Sequence, residues 1–202
     1  MSVIAITNPL ALPSSPAPTD TDINLEYRVG FSQSPFSYAG QAHDWLGRIW
    51  RARVTLPPML RATADEWLVF FSLMRGRANW CLLGDWDRRT ARGTATAAVV
   101  NGASQTGNGL VVDGMGNAKT LLKGDHVQLE SRLYRMCADA TSDASGNATL
   151  QIEPNLRAAP ADDAALTLAS PKGLFRLATN YVPNPTDFNG IARISFEMFE
   201  KL

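Results

Sequence analysis

The sequence predicts a mainly β protein with one principal α-helix, in which a split β-barrel or sandwich host domain carries an inserted small β-barrel domain. The stretches before residue 88 and after residue 172 alternate apolar and polar side chains, as half-buried strands do. A single stretch near residue 70 repeats apolar residues with the period of a helix. Residues 89–171 instead contain short apolar runs separated by turn residues. The predicted units are therefore an extended N-terminal arm at 1–22, a host domain at 23–88 plus 172–202, and an insertion at 89–171.

Composition narrows the possible partners. The 202-residue chain is 45% hydrophobic, which is enough for one large or two small cores. Its 19 basic and 19 acidic residues cancel, so we expect no stable nucleic-acid binding and no attraction to an anionic membrane. No apolar run approaches the ~20 residues of a membrane-spanning helix, and the N-terminus has no basic start or long apolar run typical of a signal peptide. We therefore expect synthesis in the cytoplasm without membrane insertion.

The N-terminal arm combines apolar residues with prolines. Val3, Ile4 and Ile6 precede the segment 12–20, in which three prolines favour an extended conformation. Two interpretations remain open: a disordered terminus, or an arm that becomes ordered against a neighbouring subunit. In the second case Val3, Ile4 and Ile6 are candidate subunit-interface residues.

The host domain begins with β structure. The pattern predicts a strand at 23–31, followed by strands at 36–45 and 48–56 on either side of a turn at Leu46-Gly47. The last of these alternates apolar residues with arginines. We interpret Arg48, Arg51 and Arg53 as solvated charges on the outer face of the sheet, with phosphate binding as the alternative.

One helix is predicted at 63–75. Pro57-Pro58 ends the preceding strand, Thr63 and Glu66 have the spacing of a capping box, and Gly76 marks the end. An apolar face of four residues should pack across a sheet. These residues are Trp67, Phe70, Phe71 and Met74.

The remaining β segments indicate why the host domain is predicted to be split into two parts of the chain. A strand is predicted at 80–83, before the insertion, and another at 174–178, after it. Residues 191–199 alternate strictly, which predicts a strand that completes the sheet begun before residue 88. The insertion at 89–171 then occupies a loop of the host domain, where added sequence is tolerated.

No catalytic constellation emerges from the histidines. His43 and His126 each have an aspartate neighbour, Asp44 and Asp125, but adjacent residues of a strand point to opposite faces and form no relay. No nucleophile motif supplies a partner elsewhere. We therefore expect that the protein is not an enzyme and uses no cofactor.

Metal binding is also not indicated. Cys81 and Cys137 are far apart and lie in apolar runs, which predicts buried free thiols rather than zinc ligands. Asp139, Asp143 and Asn147, with Gly146, resemble part of a calcium loop without its closing glutamate, so a hairpin turn is the better interpretation.

Several motifs in a fixed order resemble the distal tail proteins of long-tailed bacteriophages. The resemblance covers roughly residues 24–178, and none of the motifs is catalytic. Those in the host domain are Trp45-Leu-Gly-Arg-Ile-Trp, Thr55-Leu-Pro-Pro-Met, Ala64-Asp-Glu-Trp, Leu73-Met-Arg-Gly-Arg and Pro171-Lys-Gly-Leu-Phe-Arg-Leu. Those in the insertion are Leu122-Lys-Gly-Asp-His-Val-Gln-Leu, Leu133-Tyr-Arg, Asp143-Ala-Ser-Gly-Asn-Ala-Thr-Leu-Gln-Ile-Glu-Pro and Leu156-Arg-Ala-Ala-Pro.

The resemblance implies a structural virion protein at the tail tip, made in the host bacterial cytoplasm. It implies a ring of about six copies, closed by head-to-tail contacts. The ring would join the tail tube protein to the tail-tip hub proteins, with residues 23–88 and 172–202 as the tail-hub domain. The family supplies no catalytic residues, and the N-terminal arm has no counterpart in it.

Four aromatic residues are further interface candidates. Tyr38, Trp86, Tyr181 and Phe188 lie in loops or at strand ends, although each could instead close the monomer's own core. An alternative function is a receptor- or carbohydrate-binding module with the insertion as its reader. The insertion contains Tyr134 but no Trp, which disfavours sugar stacking. A hydrolase would need a polar constellation that the sequence does not offer.

Overall fold

The computed structural model describes residues 6–202, and in that range the protein is mainly β with one helix. The segment before the insertion contains β1 (Asp20–Gln33), β2 (Gly40–Thr55), β3 (Met59–Leu60), α1 (Arg61–Met74) and β4 (Cys81–Leu83). The insertion contains β5 (Val99–Val100), β6 (Gly109–Asp113), β7 (Thr120–Leu121), β8 (His126–Leu129), β9 (Arg132–Met136), β10 (Ala140–Thr141), β11 (Ala148–Glu153) and β12 (Leu166–Thr167). The final segment contains β13 (Gly173–Leu177), β14 (Ile191–Ala192) and β15 (Ser195–Glu200).

A five-stranded antiparallel sheet forms the host domain, in the order β1, β2, β15, β13, β4. The final alternating segment therefore does complete the sheet begun before residue 88, as predicted. It is divided into two strands, because β14 pairs with β3 while β15 enters the main sheet. Gly173 of β13 pairs with Leu83 of β4, so the two ends of the insertion lie side by side.

Helix α1 spans Arg61–Met74 rather than 63–75, and the predicted capping box is wrong. Leu60 is the N-cap residue and no side chain caps the helix, while Thr63 lies inside the first turn. The pairing of β3 with β14 fixes the chain just before the helix, so the helix begins two residues early. At the other end Arg75 adopts the left-handed conformation that commonly ends helices.

The predicted apolar face of α1 is confirmed. Trp67, Phe70 and Met74 are buried against the sheet, and Phe71 is partly buried beside them. The Trp67 and Phe71 rings lie 5.8 Å and 5.0 Å from the ring of Phe196 on β15. This aromatic cluster is the centre of the host core.

The turn predicted at Leu46-Gly47 is wrong, because β2 continues through these residues. The chain turns instead at 34–39, where Ser34 N–H donates to Ala39 O. Arg28 pairs with Gly47 but Val29 pairs with Asp44, so two residues of β2 form a bulge. Glycine is common in turns and also marks bulges inside strands, which explains the misplaced turn.

The insertion is the predicted small barrel. Six of its eight strands follow the order β12, β8, β9, β11, β6, β5 and form a nearly closed sheet, while β7 and β10 pair separately. Val99 of β5 forms a β-bridge with Ala165, the residue just before β12. This bridge joins the two ends of the six-stranded sheet. The barrel has its own core, centred on Leu110, Leu150 and Ile152.

The described part of the N-terminal arm packs on its own chain. Leu10 N–H donates to Trp80 O at 2.8 Å, and Leu10 forms a parallel bridge with Cys81. Leu10 and Leu12 pack against the host core. Neither interpretation of the arm included this contact. Val3 and Ile4 lie outside the described residues, so their proposed contact with a neighbouring subunit stays a prediction.

The two cysteines differ. Cys81 is buried as predicted, but Cys137 is exposed, so that prediction is wrong. Met136 points into the barrel core, and the next residue along an extended chain faces the other way. Across the described part of the chain, α1 is too short and too polar to cross a membrane.

Candidate protein-contact surface

The β1–β2 hairpin continues past the host sheet as an unsupported ribbon. Strand β15 pairs with β2 only from Arg51 to Thr55, and within residues 6–202 no third strand pairs with the ribbon beyond the bulge. We call residues 29–46 the distal hairpin. Isolated two-stranded hairpins are only marginally stable in water. The distal hairpin therefore has free hydrogen-bonding edges and little support from the rest of the chain.

Large apolar side chains cover the distal hairpin. Their exposed fractions are 51% for Val29, 66% for Phe31, 95% for Phe36, 76% for Tyr38, 68% for Trp45 and 62% for Leu46. An aromatic residue can bury roughly 150–250 Å², so the four rings offer on the order of 600 Å². A stable interface needs about 800 Å² per partner. The distal hairpin alone supplies most of such a surface.

Two glycines let the hairpin hold its rings against its own backbone. A Cβ on Gly40 would lie 2.7 Å from the Phe31 ring, and a Cβ on Gly30 would lie 3.1 Å from Trp45 Nε1. Stacking of an aromatic ring across a strand glycine is a known stabilising device in sheets. Phe31 and Trp45 lie on opposite faces, so the distal hairpin presents apolar groups on both sides.

The predicted interface residues do not converge on one surface. Tyr38 lies at the tip of the distal hairpin and is exposed. Tyr181 and Phe188 are also exposed, but they lie near opposite ends of α1. Trp86 is partly buried against the host core, and Ile6 is partly exposed at the start of the described chain.

Phe31, Phe36, Trp45 and Leu46 were missed by sequence reasoning. The misplaced turn put 36–45 into an ordinary sheet strand, where such residues would be covered. Ser34-Pro35 is the signal that could have located the true turn, since serine favours the first turn position and proline the second.

A groove lies at the opposite edge of the host sheet. It has a volume of about 570 Å³ and runs beside β4, between the N-terminal segment and the start of the insertion. Leu10, Leu12, Trp86 and Pro171 supply apolar walls. The two edges of the host sheet thus differ: one carries a projecting hairpin and the other a concave surface.

Two of the three arginines on β2 behave as predicted. Arg51 and Arg53 lie on the outer face and form ion pairs with Glu26 and Glu197, at 3.0 Å and 2.7 Å. Hydrogen bonds from Arg53 lower the pKa of Glu197. Arg48 is different: its side chain is only 14% exposed, so its prediction as a solvated charge is wrong. It lies between the host sheet and the barrel.

His126 and Asp125 bind different partners rather than each other. His126 is buried, its Nε2 accepts a hydrogen bond from Arg135, and its Nδ1 lies 3.9 Å from Asp85. Burial lowers the pKa of His126 to about 4. Burial alone would raise the pKa of Asp125, but backbone N–H groups and the Arg92 guanidinium outweigh it and lower that pKa. Asp125 is therefore held by hydrogen bonds, and His126 is packed beside Trp50.

The possible metal loop is a closed turn. The Asp143 carboxylate accepts the backbone N–H groups of Ser145 and Asn147 at 2.8 Å and 2.9 Å. Among residues 6–202, no group of three or more His, Cys, Asp or Glu side chains is arranged to hold a metal ion.

Comparison with protein-family models finds no match for this chain, and comparison with curated proteins finds none either. The fold itself defines the class: a mainly β protein in which an inserted, nearly closed barrel interrupts an antiparallel host sheet.

Proposed function

We propose that this protein is a structural component of a bacteriophage tail tip, where copies form a ring that joins the tail tube to the tip hub. The observation that carries the proposal is the distal hairpin, which exposes six large apolar side chains and two free edges. Exposed apolar patches of this size are typical of protein–protein contact sites.

Two features support a ring rather than a two-fold dimer. The distal hairpin projects from the β1 side of the sheet, and the groove lies at the β4 side, so the two edges are unlike. Contacts between unlike surfaces of identical subunits run head to tail, and they close into a ring when the rotation permits. The sequence resemblance implies about six copies. The balanced charge of the chain suits a conduit through which DNA passes without binding.

A receptor- or carbohydrate-binding role is supported less well. Tyr134, the insertion's aromatic residue, is only 2% exposed, and its hydroxyl accepts the backbone N–H of Arg157. It therefore offers no flat face to a sugar ring. The exposed aromatic residues belong to the host domain, where they favour contact with protein.

Light scattering coupled to size-exclusion chromatography tests the proposal across a concentration series. We expect the wild-type protein to reach about six times the 21.9 kDa mass of one chain. The variant Phe36→Ser with Tyr38→Ser should shift toward monomer, because it removes the most exposed rings of the hairpin tip. Val111→Ser on the barrel, also an exposed apolar residue, should leave the mass unchanged. A wild-type protein that stays monomeric at every concentration, alone and with purified tail tubes, contradicts the proposal.

A further inference from the structure

One carboxylate of the barrel binds both strands of the β1–β2 hairpin at its root. Tyr27 and Arg48 face each other across the two strands, in the second pair before the bulge. The Tyr27 hydroxyl donates to Glu153 Oε2 at 2.7 Å, and Arg48 Nη1 lies 3.0 Å from Glu153 Oε1. Glu153 is the last residue of β11, so these contacts connect the host hairpin to the barrel.

The same contact continues into the bulge. Arg48 Nη2 lies 3.4 Å from Asp44 Oδ2, and Asp44 Oδ1 accepts the backbone N–H of Leu46 at 2.8 Å. Leu46, one of the two bulged residues, has a φ of 57°, in the left-handed region. A chain of polar contacts therefore runs from Glu153 through Arg48 to the residue that forms the bulge.

The bulge is where the direction of the distal hairpin is decided. A β-bulge bends its strand and increases the local twist. Beyond it, no third strand within residues 6–202 guides the ribbon. A small change in the contacts at the root would therefore produce a large change in the position of the hairpin tip.

Glu153 is itself held in place. It pairs with Arg135 in the barrel sheet, and the next residue, Pro154, is buried. Further contacts fix the barrel to the host: Trp50 Nε1 donates to Leu133 O at 2.7 Å, and Arg157 pairs with Glu200 and donates to Arg48 O. The carboxylate therefore belongs to a barrel that has its own contacts with the host outside the distal hairpin.

We infer that the inserted barrel acts as a brace for the distal hairpin, with Glu153 as the positioning residue that sets the hairpin's direction. This gives the insertion a role within a single chain, and it does not depend on ring formation.

Distances between spin labels test the brace in the full chain. Labels are attached at Ser37→Cys on the hairpin tip and Thr149→Cys on the barrel, both exposed sites, in a Cys137→Ser background. Dilution with unlabelled protein keeps the distances within one chain. A second label pair, Glu66→Cys on α1 with Thr149→Cys, reports whether the barrel still sits on the host.

Glu153→Ala should at least double the width of the tip-to-barrel distance distribution and leave the helix-to-barrel distribution unchanged. Tyr27→Phe, which removes one hydroxyl, should give a smaller broadening. Asp113→Asn, at another carboxylate of the barrel, is the matched control and should behave as wild type.

Two outcomes overturn the inference. One is a Glu153→Ala distribution as narrow as that of the wild type. The other is equal broadening of both label pairs, which would mean that Glu153 holds the barrel rather than the hairpin. If Glu153→Ala fails to fold, Tyr27→Phe decides alone: an unchanged width rejects the brace. Because a monomer can be measured equally well, failure of the ring proposal would be seen separately by light scattering.

Discussion

Arg157 and Glu200 form a two-point ion pair between the inserted barrel and the central strand of the host sheet. Arg157 Nη2 lies 2.6 Å from Glu200 Oε2, and Nε lies 3.2 Å from Oε1. Glu200 is only 2% exposed, and it also accepts the backbone N–H of Trp50 at 3.3 Å. The barrel is therefore joined to the host through a buried polar contact.

Arg157→Ala should lower the free energy of unfolding by about 3–5 kcal/mol, because it leaves the Glu200 charge buried without its partner. Urea denaturation followed by circular dichroism measures this loss. The control is Arg53→Ala, whose ion pair with Glu197 is exposed and should contribute at most ~1 kcal/mol. Equal losses in the two variants would show that water reaches Glu200.

Trp50→Phe should lower the free energy of unfolding by about 1–3 kcal/mol. The substitution removes the buried hydrogen bond from the indole to Leu133 O and leaves that carbonyl unpaired. Chemical denaturation of the variant gives the value. Trp45→Phe, on the exposed distal hairpin, tests whether loss of any indole has the same effect. A Trp50→Phe protein as stable as wild type would mean that the hydrogen bond contributes nothing net.

The stability of the protein should fall as the pH drops below 6.5. The folded-state pKa of His126 is about 4, compared with 6.5 for an ordinary histidine, so the unfolded chain binds the proton first. The native state is therefore favoured above pH 6.5 and loses this advantage between pH 6.5 and 4. One group in that window costs up to about 1.4 kcal/mol per pH unit, or about 2 kcal/mol between pH 6.5 and 5.

Urea midpoints measured at pH 6.5 and at pH 5 test the His126 prediction. His126→Asn should flatten the dependence, whatever its own effect on stability at neutral pH. His43→Asn keeps His126 and serves as the matched control. A wild-type slope that survives in His126→Asn would assign the effect to another group.

The two thiols should react at very different rates. Cys137 is exposed, whereas burial of Cys81 raises its pKa to about 12 and keeps reagents away. Mass spectrometry after brief treatment with iodoacetamide should show one label on the native protein and two in urea. Cys137→Ser should remove the native label. Fast double labelling of the native protein would mean that β4 opens readily.

Strict periodicity predicted the elements that pack on one face only. The alternation at 191–199 predicted a strand of the host sheet, and the spacing of Trp67, Phe70 and Met74 predicted the buried face of α1. Short apolar runs between turn residues likewise predicted the barrel. In each case the apolar residues occupy the buried positions, so the spacing of apolar residues in the sequence shows which face is buried.

The contact surface and the junction could not be predicted in this way. The distal hairpin is exposed because β15 pairs with β2 no further than Arg51. The register of β15 on β2 sets this end point, and the residues at 29–46 do not indicate it. In the sequence, Glu153 and Arg157 look like ordinary polar residues at and beyond the end of a strand. The partner of Glu153 is Arg48, which lies 105 positions away along the chain. The partner of Arg157 is Glu200, which lies 43 positions away.

The place of β15 in the middle of the sheet has a consequence for how the chain folds as it is made. Thr55 and Ser195 lie side by side on β2 and β15 but 140 residues apart in sequence. The barrel, whose pairings are closer in sequence, can form while the nascent chain is still growing. The edge of β2 that faces β15 therefore stays unpaired until residues 195–200 have left the ribosome. The host sheet is thus completed only after β15 has emerged, around a barrel whose strands are free to pair earlier.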